Sequence, residues 1–179
     1  MTTQLKDCLC KNFLAAIDMF TNVVRLCPDE LWKDKKFFNL TYHTAIFLEY
    51  YLSSPVKDFR PILTYTLYAA DKLPIDAVDD VIADRHFTKN EVIRQLLTVR
   101  EKCQSLISQA TMDKLLARWI HDEEVDLHGL CPSVVVNYSL LEILMYNLRH
   151  LQHHTGQLNL FMRQQANVAT DWISHADCV

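Results

Sequence analysis

The sequence predicts an all-α protein built as a four-helix bundle, and three observations lead to this fold class. The chain of 179 residues contains only two glycines, whereas all-β folds need turn residues far more often. Its five prolines leave long proline-free stretches between them. In four of these stretches, apolar residues recur at the three- and four-residue spacing of one buried helical stripe. We expect a single domain over residues 1–179, since this length suits one domain with a real core.

The first two helices are predicted from their apolar stripes and from the prolines that follow them. The first covers about Leu5–Leu26 and ends before Pro28, and the second covers about Lys35–Leu52 with His43 on its buried face. Residues 55–87 contain three prolines and the acidic run DAVDD. They are predicted to form one long connection with a short helix near Ile62–Leu73. A connection of this length can cross the bundle, so helices two and three can run parallel.

Capping boxes predict where the last two long helices begin. Thr88 is followed three residues later by Glu91, and Ser139 by Glu142. The last helix is expected over about 140–165. Between these helices, residues 121–128 hold two histidines among four carboxylates. They could form a separate metal site, but a solvated acidic loop is favoured because no helical spacing aligns those groups.

Composition limits the partners and the compartment. The formal net charge is −4 and no basic stripe is present, which argues against nucleic acid. No window approaches the eighteen or so uninterrupted apolar residues of a membrane span, and the first residues do not resemble a secretory signal. The six cysteines contain no CxxC pair, and Cys8 and Cys10 would lie on different sides of a helix. We therefore predict reduced thiols and a cytoplasmic protein without a membrane partner.

A histidine pair on the last predicted helix is the candidate for chemistry. His150 and His154 are four residues apart, which places them about 40° apart in projection and one turn along, so both imidazoles can meet one ion. His153 points roughly 60° to the other side of His150 and is a secondary candidate. Asn147 shares the face of the pair, which is polar in the middle and borders a wholly apolar face. A polar patch beside a core suits a metal pocket in a bundle.

Two ligands do not make a site, and His43 on the buried face of helix two is the best third candidate. The alternative is that the pair is solvated and that His43 is a core histidine bonded to a carbonyl. Neutral imidazoles suit zinc, nickel or ferrous iron, with manganese a further candidate. Gly156 stands one turn from the pair although glycine costs about 1 kcal/mol in a helix. This suggests that something packs close to the backbone there.

The segment HLQHHTGQLNLFMRQ, residues 150–164, closely resembles the HxxHHxGQLxxxLRQ signature on the last helix of DinB/YfiT-like proteins. TYHTAIFLEYYL, residues 41–52, resembles the setting of that family's histidine on helix two. The resemblance implies an up-down-down-up bundle and a metal on His43, His150 and His154, with water or substrate at the open positions. Gln157 matches the glutamine of the signature and is a secondary candidate near the site. Thr155 stands where many relatives have arginine, which puts an anion-binding role for that position in doubt.

Two functional classes remain open, because no residue identifies a small-molecule substrate or a catalytic side chain. In the first, the open metal activates a bound water or a low-molecular-weight thiol, as the resemblance to thiol-dependent transferases and isomerases implies. In the second, the chain is a non-catalytic, stress-associated protein that binds a metal or a ligand. A ferritin-like di-iron centre and a zinc protease are excluded, since neither paired Glu-x-x-His motifs nor HExxH is present.

The last helix also suggests an oligomer, because its leucines cover a wider arc than one buried stripe needs. Leu141, Leu144, Leu148, Leu151, Leu158 and Met162 form this arc. Either the long connection covers the excess, or it forms the seam of a two-fold homodimer, as in DinB-like relatives. We predict the homodimer.

Overall fold

The computed structural model describes residues 2–178 and is mostly helical. Its helices are α1 Thr2–Leu26, α2 Asp29–Trp32, α3 Lys35–Tyr51, α4 Lys89–Gln109, α5 Met112–Leu116 and α6 Leu140–Ala166. The four long helices lie where the apolar stripes predict them, whereas the short helices α2 and α5 were not predicted. Within residues 2–178 no helix has both the length and the apolar character needed to cross a membrane.

Both predicted capping boxes are confirmed. At the start of α4, the Thr88 hydroxyl accepts from the Glu91 N–H at 3.3 Å, and the Glu91 carboxylate accepts from the Thr88 N–H at 2.8 Å. Ser139 and Glu142 repeat the same pair of bonds at 3.3 and 2.8 Å at the start of α6. Each box satisfies backbone donors that a helix start leaves without partners.

The long helices bury their apolar stripes against one another: α1 packs on α4 and α6, and α3 packs on α6 and α4. On α6, Leu144, Leu151, Leu158 and Met162 are fully buried and Leu148 packs partly against the core. The wide apolar arc of this helix is therefore mostly covered within one chain, which removes much of the reason to expect a dimer seam. The homodimer stays a prediction.

The connection between α3 and α4 contains a two-stranded hairpin, so the fold is not purely α-helical. Strands β1 Tyr65–Leu67 and β2 Val81–Ala83 pair antiparallel. The prediction of a short α-helix near Ile62–Leu73 is wrong, because Tyr65–Leu67 form a strand there and the only helical turn is a 3₁₀ turn at Ala70–Lys72. Aromatic and β-branched residues in Tyr65–Leu67 favour a strand once a partner strand is available.

Hydrogen bonds tie this connection to the face of α3 that carries His43. The Tyr42 hydroxyl donates to the carbonyl of Thr64 at 2.8 Å, and the Asn39 amide donates to the carbonyl of Asp76 at 2.8 Å. The acidic run DAVDD, which begins at Asp76, is thereby held beside α3.

The segment after α6 folds back to α1, and this overturns one expectation. Asn167 ends the helix in the left-handed conformation, with φ 53°. The Ala176 N–H then donates to the Lys11 carbonyl at 3.2 Å, and Cys10 and Cys178 form a disulfide. The prediction of reduced thiols is therefore wrong for this pair. Because disulfides persist mainly in oxidising compartments, the thiols no longer support a cytoplasmic location.

The acidic segment 121–128 exposes three of its four carboxylates, as expected of a solvated loop, but the fourth anchors it. Glu124 is buried, and its carboxylate accepts from the N–H groups of Lys57 at 2.8 Å and His121 at 3.1 Å. The His128 ring contacts the Val56 carbonyl at 3.2 Å. This segment therefore serves to dock the start of the long connection.

Candidate metal centre

Three imidazoles meet at the seam between α3 and α6. The Nε2 atom of His150 lies 2.9 Å from Nε2 of His43 and 3.1 Å from Nε2 of His154. The ligand atoms of the three residues all lie within 4.8 Å of one another, and all three side chains are half-buried. The group that the sequence predicts as a metal site is thus assembled, and it is close enough to bind one ion.

The buried stripes of the two helices produce this meeting. His150 and His154 share one face of α6 because they are one turn apart. On α3, His43 is surrounded by buried residues on the face that packs against α6. Ring contacts continue the seam on one side, where Phe37 on α3 meets Phe161 on α6 at 5.8 Å between centroids.

Asp79 fixes the orientation and the tautomer of His43. Its Oδ2 atom lies 2.8 Å from His43 Nδ1, and its Oδ1 atom accepts from the Val81 N–H at 3.0 Å. A carboxylate can only accept here, so Nδ1 of His43 carries a proton, and in the neutral ring Nε2 carries the lone pair. The lone pair therefore faces the other two histidines, as a metal ligand requires.

Gln157, about one turn further along α6, fixes the orientation and the tautomer of His154. The side-chain carbonyl Oε1 of Gln157 lies 2.7 Å from Nδ1 of His154 and accepts its proton. The Nε2 lone pair of His154 then also points into the cluster. Gln157, a secondary candidate in the sequence, thus holds a ligand in place from the outside.

His150 sits between the other two histidines. Burial, reinforced by the neighbouring His43 and His154, lowers the pKa of His150 to about 3. Burial likewise lowers the pKa of His154. Both rings are therefore neutral near pH 7, the protonation state in which imidazole binds metals.

Aromatic rings form the wall around His150. Tyr146 stacks parallel to the imidazole at 6.4 Å between centroids, and Tyr51 and Phe47 meet it edge-on at 6.2 and 6.1 Å. The Nδ1 atom of His150 is buried and has no hydrogen-bond partner among the described residues. An apolar wall of this kind lowers the local dielectric and strengthens electrostatic interactions at the centre.

The geometry fits a divalent ion after a small adjustment. Two nitrogens bound to zinc at 2.0–2.1 Å in tetrahedral geometry stand about 3.3–3.4 Å apart. The observed separations of 2.9 and 3.1 Å are a few tenths shorter. Moreover, two lone pairs are directed at a third imidazole nitrogen, which can offer at most one proton to share between them. A cation among the three nitrogens satisfies all of them at once.

The other sequence candidates take different places. His153 is exposed, and its ring meets only that of His154, at 5.0 Å between centroids. Asn147 is fully buried and donates to the Leu48 carbonyl at 3.0 Å, so it joins α6 to the end of α3. The close approach expected at Gly156 is wrong, because among the described residues no heavy atom beyond its local helix backbone and chain neighbours lies within 4 Å of a Cβ built there.

Asp79 is the functional residue that the sequence did not reveal. The connection that contains it holds several aspartates, and nothing in their spacing says which one reaches His43. The only available signal is general, since a ligating histidine usually donates its second N–H to a carboxylate or carbonyl. Within residues 2–178, no other group of three potential ligands comes together as these histidines do, and the segment 121–128 forms none.

A surface cavity of about 590 Å³ opens beside the centre. Its lining comes entirely from α6 and includes His150. The other lining residues are Tyr146, Arg149, Gln152 and His153. A small molecule can therefore approach the middle histidine of the cluster from solvent.

Comparisons with protein-family models, with curated proteins and with solved structures find no match for this chain. The chemistry of the centre therefore rests on its own residues.

Proposed function

We propose that this chain is a DinB/YfiT-like metalloprotein that binds one divalent ion, zinc or nickel, through His43, His150 and His154. We further propose that it uses this ion in a small-thiol-dependent transfer or isomerisation. The observation that carries the proposal is the tautomer pattern. Asp79 and Gln157 direct two Nε2 lone pairs towards a third neutral imidazole, within 3.1 Å.

The helix contacts support an up-down-down-up four-helix bundle. Asp18 on α1 pairs with Arg100 on α4 at 2.7 Å, while Cys27 just after α1 meets Lys89 at the start of α4, so these helices are antiparallel. The starts of α3 and α4 lie together, since the Trp32 indole donates to the Phe87 carbonyl at 3.1 Å. Further along, Lys102 on α4 donates to Ser53 at the end of α3 at 2.7 Å, which makes these two helices parallel.

The last helix completes the arrangement. Asn147 near the start of α6 bonds to Leu48 near the end of α3, and Phe161 near its end meets Phe37 near the beginning of α3. These helices therefore run antiparallel, as the resemblance to the DinB-like family implies.

The ligand set supports catalysis on a bound anion. Three neutral imidazoles leave the full charge of a divalent ion uncompensated, and such an ion lowers the pKa of a bound thiol or water. The protein residues hold the ligands, exclude water on the aromatic side and leave the α6 cavity open for a substrate. That open access favours the catalytic alternative over a purely structural metal.

Metal analysis of the purified protein tests the proposal. We expect about one divalent ion per chain, abolished by His150→Ala or His154→Ala and severely weakened by His43→Ala. His153→Ala is the matched control, because this histidine neighbours the cluster without joining it, and it should retain the ion. A protein that takes up no metal under any loading condition, or that needs His153 but not His150, would contradict the assignment.

Thiol-transfer assays with several low-molecular-weight thiols then test the reaction. Activity should follow metal content across the histidine variants. Activity that persists in metal-free protein would assign the chemistry to other residues.

A further inference from the structure

The cavity beside the candidate metal centre differs in the charge of its lining from four other surface cavities of this protein. Four other surface cavities each have at least one carboxylate in their lining, such as Asp58, Asp29, Asp34 and Asp7. The cavity at His150 has none, although the chain as a whole carries a net charge of −4. Its polar groups are a guanidinium, an amide, two imidazoles and a phenol.

Beyond its first turn, where Glu142 belongs to the capping box, the helix that builds this cavity has no acidic residues. From Ile143 to Ala166, α6 contains no aspartate or glutamate but two arginines and three histidines. The carboxylate that touches the cluster, Asp79, is occupied on both oxygens by His43 and by the Val81 N–H. Neither this part of α6 nor Asp79 therefore offers a free carboxylate to a cation in the cavity.

Arg149 is that cation. It is exposed, lines the cavity next to His150, and forms no hydrogen bond or ion pair within the described part of the chain. A guanidinium presents a planar set of donors that matches a carboxylate in a two-pronged hydrogen bond. With His150 beside it, an anion held by Arg149 lies close to the metal ligands.

We propose that the substrate or thiol of this centre carries a carboxylate that binds Arg149 while its reactive donor atom meets the metal. This inference rests on the proposed function and adds the chemical class of the ligand. Arg149 acts as a specificity residue and holds no reacting atom.

Binding to the cobalt-substituted protein tests this proposal without an activity assay. The probes are para-mercaptophenylacetate and its neutral amide, whose rigid ring keeps the carboxylate from chelating the same ion. Thiolate binding is followed by the sulfur-to-cobalt charge-transfer absorption at low ionic strength. The measured quantity is the Kd of the amide divided by the Kd of the acid. We expect this ratio to fall about three- to tenfold in Arg149→Gln, the range of an arginine–carboxylate contact near the surface.

Arg163→Gln provides the matched control, since Arg163 is exposed on the same helix but does not line the cavity. It should leave the ratio as in the wild type. A ratio that Arg149→Gln does not change, or a cobalt protein that binds neither thiol, would overturn the carboxylate proposal while leaving the metal site standing. Failure of the protein to bind cobalt at all would overturn the proposed metal site, and this inference with it.

Discussion

Asp79→Asn is the most direct perturbation of the candidate metal centre that leaves all three histidines in place. The Asp79 carboxylate holds the proton of His43 on Nδ1 through a contact of 2.8 Å, with side-chain exposures of 25% for Asp79 and 12% for His43. An asparagine offers either its carbonyl or its amide to that nitrogen. With the carbonyl, the hydrogen bond survives without its charge. With the amide, His43 must accept at Nδ1, its proton moves to Nε2, and the lone pair needed by the metal is lost.

Both outcomes weaken metal binding. Removing a carboxylate that supports a ligating histidine costs about 10–100-fold in metal affinity, or roughly 1.4–2.8 kcal/mol. We expect Asp79→Asn to fall in this range, measured by competition with a chromophoric chelator at fixed pH. Asp80→Asn is the control, because it makes the same charge change on an exposed neighbouring side chain. Equal metal affinities of Asp79→Asn and Asp80→Asn would refute a specific role of Asp79 in supporting His43. Any loss of affinity would then be due to net charge alone.

Three further predictions concern the fold. Asn147→Ala leaves the buried Leu48 carbonyl at the end of α3 without its side-chain donor, so we expect a loss of about 1–3 kcal/mol in the free energy of unfolding. Metal affinity should not change, and a large drop in it would make Asn147 part of the centre. Cys178→Ser removes the disulfide between residues that are 168 positions apart. Chain entropy limits the expected loss in unfolding free energy, measured by urea titration, to about 5 kcal/mol. A variant as stable as the oxidised wild type would show that the disulfide does not form. The pKa of Glu91 is lowered to about 2 by hydrogen bonds from Arg85 and Thr88. The stabilisation from the ionised Glu91 carboxylate is therefore present above pH 4.5 and disappears as the pH falls towards 2. We expect Glu91→Gln to lower the free energy of unfolding at pH 7 and to have no such effect in acid. A difference in unfolding free energy that does not change with pH would contradict the assignment.

Local rules were enough to predict the four long helices and two of the three histidines of the candidate metal centre. Glu91 and Glu142 mark helix starts because a capping box is a contact between residues three apart. His150 and His154 converge for a similar reason, since the helical period alone brings them to one face. Adding His43 required only that two buried faces meet.

The same local rules could not predict features that depend on the path of long loops. Asp79 reaches His43 only because a hairpin and two hydrogen bonds hold its connection against α3. The partner of Cys10 is 168 residues away and arrives through a tail with no periodic pattern. At Gly156 the sequence predicted a contact that the structure lacks. The free-energy cost of a glycine in a helix suggested a close neighbour, but the space beside this residue is open.

The disulfide between Cys10 and Cys178 turns nearly the whole described chain into a covalent ring. If a protease cut the long connection between α3 and α4 once, the disulfide would still join the two fragments covalently. The two fragments would migrate together on a denaturing gel without reductant and separate only after reduction. For the same reason, a pulling force applied at the two ends would be carried by the sulfur–sulfur bond, and the helices and the histidine cluster within the ring would be shielded from it.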